Sequence, residues 1–218
     1  MKLLRKILRW LLILWGVLLL YNTLFPPVST LMMARLITLR PVVRDFVPIN
    51  RISPHLTHAV IAAEDGKFCV HRGVDWRAMR GAVAEAIDID GDPSHGASTI
   101  PMQTVKNLFL WHNFSYLRKP IEIPLALLLE VFWSKRRILE TYLNTAEFGR
   151  GIFGAEAAAR HYFGKSAAGL SLYESALLAA ALPNPNGRNP ARPSANLASY
   201  AGNIRARVYQ GVAAGCTR

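Results

Sequence analysis

From Trp10 to Phe25 the chain reads WLLILWGVLLLYNTLF, a run with no charged residue. A helix of this composition is apolar on every face, which suits a bilayer or a deep core and not the half-solvated surface of a globular domain. Leu3, Leu4, Ile7 and Leu8 lengthen the tract towards the roughly 20 residues that cross a membrane. Lys6 and Arg9 can reach the headgroups on their long stems. No small-x-small cleavage pattern follows; Tyr21, Asn22, Thr23 and then Pro26-Pro27 come next. Residues 10–25 therefore read as an uncleaved transmembrane anchor. Lys2, Arg5, Lys6 and Arg9 precede it, so residues 1–9 are expected to stay cytoplasmic and everything after Pro26 to be exported.

What remains after the anchor is enough for one domain of the 218 residues, and 51% apolar content excludes global disorder. The formal charge of +12 is concentrated at the two ends and points to an anionic surface. No helix-turn-helix, finger or aromatic RNA-binding pattern is legible, so phospholipid is expected and nucleic acid is not. Cys69 and Cys216 match no zinc-ligand spacing. A single bridge between them stays open.

Residues 26–53, with Pro26, Pro27, Pro41 and Pro48, read as an extended, membrane-proximal connector whose Met32, Met33, Leu36 and Ile37 face lipid. Residues 54–218 read as the exported domain, and every pattern in them is helical. His55 to Phe68 is a buried helix. Asp75 caps another, with Trp76, Met79, Val83, Ala86 and Ile87 on one face, and residues 88–97 form a polar loop. Ser98 caps a helix to Leu110; Arg118 to Trp133 follows, bent at Pro124; Ser134 opens the next. Glycines 149, 151 and 154 punctuate a loop before Ala155 to Phe163, and Ser171 with Glu174 forms a capping box for a helix ending at Leu182. The fold class expected is all-α.

Among the side chains that can do chemistry, Glu64 and Asp65 emerge from the end of an apolar helix, where burial raises a carboxyl pKa into the range of a useful base. A helix-end carboxylate bonded to its own backbone is the plainer reading. Glu122 stands four residues after Arg118, the spacing of a structural ion pair, yet Ile121, Ile123 and Pro124 give it a dry setting. Lys106, Arg118 and Lys119 would make a cationic wall suited to pyrophosphate, although each is equally explained as a solvated charge. His71 has no nucleophile at triad spacing, and no Gly-rich phosphate loop is present.

EDGKFCVHRGVDW from Glu64, GASTIPMQTVKN from Gly96, RKPIE from Arg118, KRRILETYLNTAEFGRGIFGAEAAARHYFGK from Lys135 and LSLYESALLAAALPNPN from Leu170 together resemble, in order, the signatures of family 51 glycosyltransferases. The resemblance covers about residues 54–187. It implies a lysozyme-like glycosyltransferase domain behind a single N-terminal transmembrane helix, in the inner membrane with its catalytic domain periplasmic. The implied reaction is polymerisation of lipid II into peptidoglycan strands, with inversion. Glu64 would be the general base acting on the N-acetylglucosamine 4-hydroxyl, and Glu122 would serve the leaving pyrophosphate. Ser98, Gln103, Lys106, Asn107, Arg118 and Lys119 fall on the donor site, beside Asp65. Relatives often carry cations where this chain has Phe114 and Gly81; Arg80 is the nearest substitute, one helical step away. No cofactor is expected beyond divalent-cation assistance at the pyrophosphate, and no metal ligands are legible. The expected partners are lipid II, the growing lipid-linked glycan strand and inner-membrane phospholipid, with room for cell-wall synthesis or division proteins. A lytic transglycosylase or muramidase of related fold, and an inactive envelope scaffold, are the competing readings. The cations around the carboxylates favour a lipid pyrophosphate over neutral glycan.

Overall fold

A computed structural model describes residues 2–88, 98–113, 115–211 and 214–217. Phe114 and nearly all of the polar run 88–97 lie outside those residues, as do the side chains of Val83, Ala86 and Ile87. The described residues are mainly helical, as the patterning requires.

The apolar tract forms α1, Lys2–Leu24, whose candidate membrane span is Arg5–Leu24. Most of its side chains are exposed, and its C-terminal end docks on the domain. Trp15 packs against Phe109 and Phe132 with ring centroids 6.0 Å away in each case, and Leu19 is buried. Thr23 Oγ1 accepts from Trp133 Nε1 at 2.8 Å, and the Asn22 carbonyl accepts from Arg137 at 2.5 Å.

Residues 26–53 are not an extended connector. They fold into α2, Thr30–Ile37, capped by Ser29 Oγ on the Met32 amide, and β1, Val43–Arg44. Met32 is 1% exposed and belongs to the interior, whereas Met33, Leu36 and Ile37 point outward as the sequence suggested. The partition follows helix periodicity: Met32 falls on the side that meets the domain.

The domain proper contains α3, Pro54–Glu64; α4, Trp76–Asp88; α5, Ile100–Phe109; α6, Ser115–Phe132; and α7, Lys135–Thr145. It continues through β2, Glu147–Gly149; β3, Ile152–Phe153; α8, Ala155–Phe163; α9, Leu172–Ala181; and α10, Ala195–Tyr209. Helix α3 ends at Glu64, four residues before Phe68, because Asp65 takes φ −160° as the C-cap. Thr99, not Ser98, caps α5. Helix α6 starts before Arg118, which leaves both Pro120 and Pro124 inside it. Ser134, Asp75 and the Ser171–Glu174 capping box act as their positions predict.

Helix α9 is rich in Ala and Leu and buried from Ser175 to Ala181, and it packs against α3 and α10; α5 packs against α6 and α7. Short side chains on α9 let its neighbours approach closely. The glycine-punctuated loop holds a three-stranded sheet in the order β1-β3-β2, with β1 parallel and β2 antiparallel to β3. Strands of two or three residues are too short to show alternation in sequence. The two cysteines are joined: Cys69 and Cys216 have Cα atoms 5.6 Å apart and form a disulfide.

Candidate active site

Glu64 is the last residue of α3, and its carboxyl points into a cavity of about 450 Å³ lined also by Ser98, Gln103, Lys106, Arg118, Glu122, Arg188 and Tyr200. Glu64 Oε2 accepts from Gln103 Nε2 at 2.7 Å, and Gln103 Oε1 accepts from the Tyr142 hydroxyl at 3.0 Å. Tyr142 is buried. The Glu64 carboxylate can only accept, so it takes the N–H end of the Gln103 amide and leaves the carbonyl end to the Tyr142 hydroxyl. Burial pushes the Glu64 carboxyl above the ordinary value; the Gln103 hydrogen bond and the charge of Lys106 oppose it, and the Asp65 charge adds to it. Burial also pushes the Tyr142 phenol up, helped by the charges of Glu64 and Asp65.

In the same cavity, α6 turns Arg118 and Glu122 inward as a buried ion pair, Arg118 Nε to Glu122 Oε1, and Arg118 Nη1 donates to the Trp111 carbonyl at 2.8 Å. The spacing expected of a structural pair is thus realised, and the pair itself faces the cavity. Lys106 has no ion-pair partner among the described residues. Burial and the Arg118 charge lower its pKa, while Glu122 and Glu64 support its protonated form. It is the cation with capacity to spare for an anionic ligand.

Lys106 and Gln103 also line a second cavity of about 210 Å³ with Ser29, Asn107, His112 and Glu147 among its walls. Burial, with the charges of Lys106 and Arg118, holds the His112 imidazole down at about 4, so it is neutral at physiological pH. Asn107, expected beside Lys106, lines this second cavity and not the one that holds Glu64.

Asp65 is buried. It accepts from the Ile100 amide at 3.0 Å and lies 2.8 Å from His71 Nε2, tying the end of α3 to the start of α5. Its geometry is that of a positioning group: it does not line the 450 Å³ cavity, but it borders a neighbouring one of about 310 Å³ together with Glu64 and Ser98. His71 is the structural partner of Asp65 through Nε2, while the buried Nδ1 has no hydrogen-bond partner among the described residues. Arg80 is exposed on α4, with its Nε on the Trp76 carbonyl at 3.3 Å, and it does not reach the cavity. Lys119 is exposed too: one residue beyond Arg118 is a rotation of about 100°, which carries the side chain out of the site. Gly81 is exposed, with open space where a side chain would project.

Sequence reasoning missed Arg188, Tyr200 and Tyr142. Arg188 follows the Pro-Asn-Pro-Asn run closely, donates to the Ala180 carbonyl at 2.5 Å and stacks over Tyr200 at 5.7 Å. A lone arginine just past a helix-ending proline cluster was its only signal. Among the described residues no cluster of His, Cys, Asp and Glu could hold a metal ion.

A family model described as Transglycosylase matches residues 32–210. The chain belongs to that family. Similar proteins include the biosynthetic peptidoglycan transglycosylase of Rhizobium meliloti (strain 1021), 53% identical over 84% of this chain and 76% of the relative. That of Brucella suis biovar 1 (strain 1330) is 53% identical over 84% and 81%, and that of Rhodospirillum centenum (strain ATCC 51521 / SW) is 51% identical over 86% and 81%. The chain is therefore an enzyme of glycosyl transfer with an all-α transglycosylase domain, and the matched region begins within α2. The segment read as a connector is thus partly inside the family domain.

Proposed function

We propose that this transglycosylase polymerises peptidoglycan strands from lipid II at a membrane surface. Glu64 takes the proton from the 4-hydroxyl of the acceptor N-acetylglucosamine as that oxygen attacks the donor sugar, whose bond to undecaprenyl pyrophosphate breaks with inversion. Lys106, Arg118 and Arg188 meet the charge that grows on the departing pyrophosphate, and Glu122 holds Arg118 in place. The observation that carries this reading is one cavity with a buried, proton-hungry carboxylate at the end of α3 and a cationic wall on α5 and α6. Inverting displacement needs that separation, because nucleophile and leaving group occupy opposite faces of the sugar carbon. A neutral glycan substrate would leave Lys106, buried and in no ion pair among the described residues, without an anion of its own.

Three features support the membrane setting and export of the domain. The span Arg5–Leu24 is long and apolar enough to cross a bilayer. The outer face of α6 exposes Leu117, Ile121, Leu128 and Val131 while its inner face carries Arg118 and Glu122, so the pyrophosphate-binding groups lie one helix diameter from an apolar surface. The Cys69–Cys216 disulfide belongs in an oxidising compartment such as the periplasm. Lys2, Arg5, Lys6 and Arg9, in the first turns of α1, favour an N-terminus inside.

The test is incubation of the purified full chain with labelled lipid II, resolving products by length. Growing strands are expected; release of fragments from finished glycan with no strand growth would make the enzyme a lytic one instead. Lys106→Ala should lower turnover without a matching fall in the thermal midpoint.

A further inference from the structure

A second basic cavity, about 540 Å³, lies away from the catalytic one and shares none of its residues; Arg35, Arg40, Pro41, Arg150 and Asn186 line it. Three local devices build it. Helix α2 ends in the double hydrogen bond of a Schellman turn, Leu39 N–H to the Leu36 carbonyl at 3.1 Å and Arg40 N–H to the Arg35 carbonyl at 2.8 Å, which folds Arg40 back beside Arg35. Glu147 Oε1 accepts from Arg35 at 2.6 Å and from the Gly151 amide at 2.8 Å, fixing both to one carboxylate oxygen. Gly151, at φ +78°, has no room for a side chain: a Cβ there would come 2.6 Å from the Pro41 carbonyl oxygen. That close approach sets Arg150 against the same rim. Arg35 is spoken for, whereas Arg40 and Arg150 are exposed and form no ion pair among the described residues.

The surroundings identify the ligand class. The left-handed position of a Schellman turn normally takes glycine, yet here it is Leu39, at φ 53° and 94% exposed. Leu36 and Ile37 continue the apolar rim, with Ile37 77% exposed. Uncovered leucine and isoleucine around arginines match the boundary where acyl chains meet headgroup phosphates. We propose that this arginine basin binds the phosphodiester of an anionic phospholipid headgroup, beside the Leu36–Leu39 tip set among the acyl chains. The inference rests on the membrane-anchored reading and adds a lipid-selective site distinct from the substrate pyrophosphate site.

The full chain is reconstituted into vesicles of phosphatidylcholine alone or mixed with phosphatidylglycerol, and the lipid retained on extraction is measured by mass spectrometry. Wild-type protein is expected to retain phosphatidylglycerol above its bulk fraction. Arg40→Gln and Arg150→Gln should each cut that enrichment by up to about five-fold, with strand polymerisation in detergent unchanged. Arg40→Lys with Arg150→Lys should keep most of the enrichment, which separates lost charge from lost folding. Enrichment untouched by the glutamine variants overturns the assignment. Displacement of the retained lipid by inorganic pyrophosphate, with no effect of inorganic phosphate, overturns it in favour of a diphosphate subsite. A chain that enters both vesicle types without lipid preference defeats this inference alone, and one that enters neither defeats the anchored reading as well.

Discussion

Glu64, the proposed general base, is held in a state that costs the fold some stability. Its carboxyl titrates above the ordinary value because burial disfavours the charge. The protonated form therefore favours the folded state, a contribution fully present below the ordinary carboxyl pKa and lost as pH rises through the folded one. Glu64→Gln should accordingly abolish strand growth, by about 10² to 10⁴-fold for lost base catalysis alone, and raise the thermal midpoint near neutral pH more than in acid. An unchanged turnover would move the base to another carboxylate. For the wild type, the rate should rise as Glu64 ionises and fall again below the usual lysine range as Lys106, its pKa lowered, loses its proton. Tyr142→Phe leaves the Gln103 carbonyl oxygen without its donor, so the amide is held less firmly and the hydrogen bond that lowers the Glu64 pKa is weakened. The acid limb of the pH–rate profile should then move to higher pH. A lower rate at all pH values with an unmoved limb would mean that Tyr142 is only filling space.

At the scale of elements, the loop from Gly66 to Asp75 connects the catalytic helix to the rest of the site. Gly73, at φ +69°, lies so close to α6 that a Cβ would stand 2.9 Å from the Ala126 carbonyl oxygen, and its own carbonyl accepts from Thr99 at 2.6 Å. The Cys69–Cys216 bond ties this loop to the short turn Gly215–Thr217, which packs on α7. Reduction, or Cys216→Ser, should cost about 2–4 kcal/mol of stability, as for other long-range disulfides, and should shorten the lifetime of activity at elevated temperature. Equal urea midpoints with and without reductant would show that the loop is held by packing alone. The sequence made the helices legible wherever a cap is local: Ser134, Asp75 and the Ser171–Glu174 box need only their own next turn. Helix α2 was not legible, because what buries Met32 is α5, far along the chain. The site divides the same way. Glu64, Lys106, Arg118 and Glu122 sit in contiguous motifs, whereas Arg188 and Tyr200, outside those motifs, join them only through folding. Lys119 and Arg80 misled for the converse reason, since charges that cluster in sequence are spread around a helix by its twist.

For the molecule as a whole, the order of parts along the membrane normal determines what the enzyme can use. Helix α1 is fastened to the domain through Trp15, Asn22 and Thr23 and is more than a tether, so deleting residues 1–25 removes packing for Phe109, Phe132 and Trp133 as well as the anchor. The truncated chain should lose activity in membranes more than in detergent, and its thermal midpoint should also fall; a midpoint unchanged by truncation would show that the docking of α1 contributes nothing to the fold. Helix α6 carries the cavity-lining Arg118, proposed to meet the pyrophosphate, on one side and uncovered apolar side chains on the other. A polyprenyl substrate can thus be seized by its diphosphate without its tail leaving the bilayer, and the search becomes two-dimensional. The concentration that matters to such an enzyme is moles of substrate per mole of surrounding amphiphile. Adding inert detergent at fixed bulk lipid II should slow the reaction by surface dilution, and diluting the whole mixture with buffer should leave the turnover number of each reconstituted enzyme nearly constant.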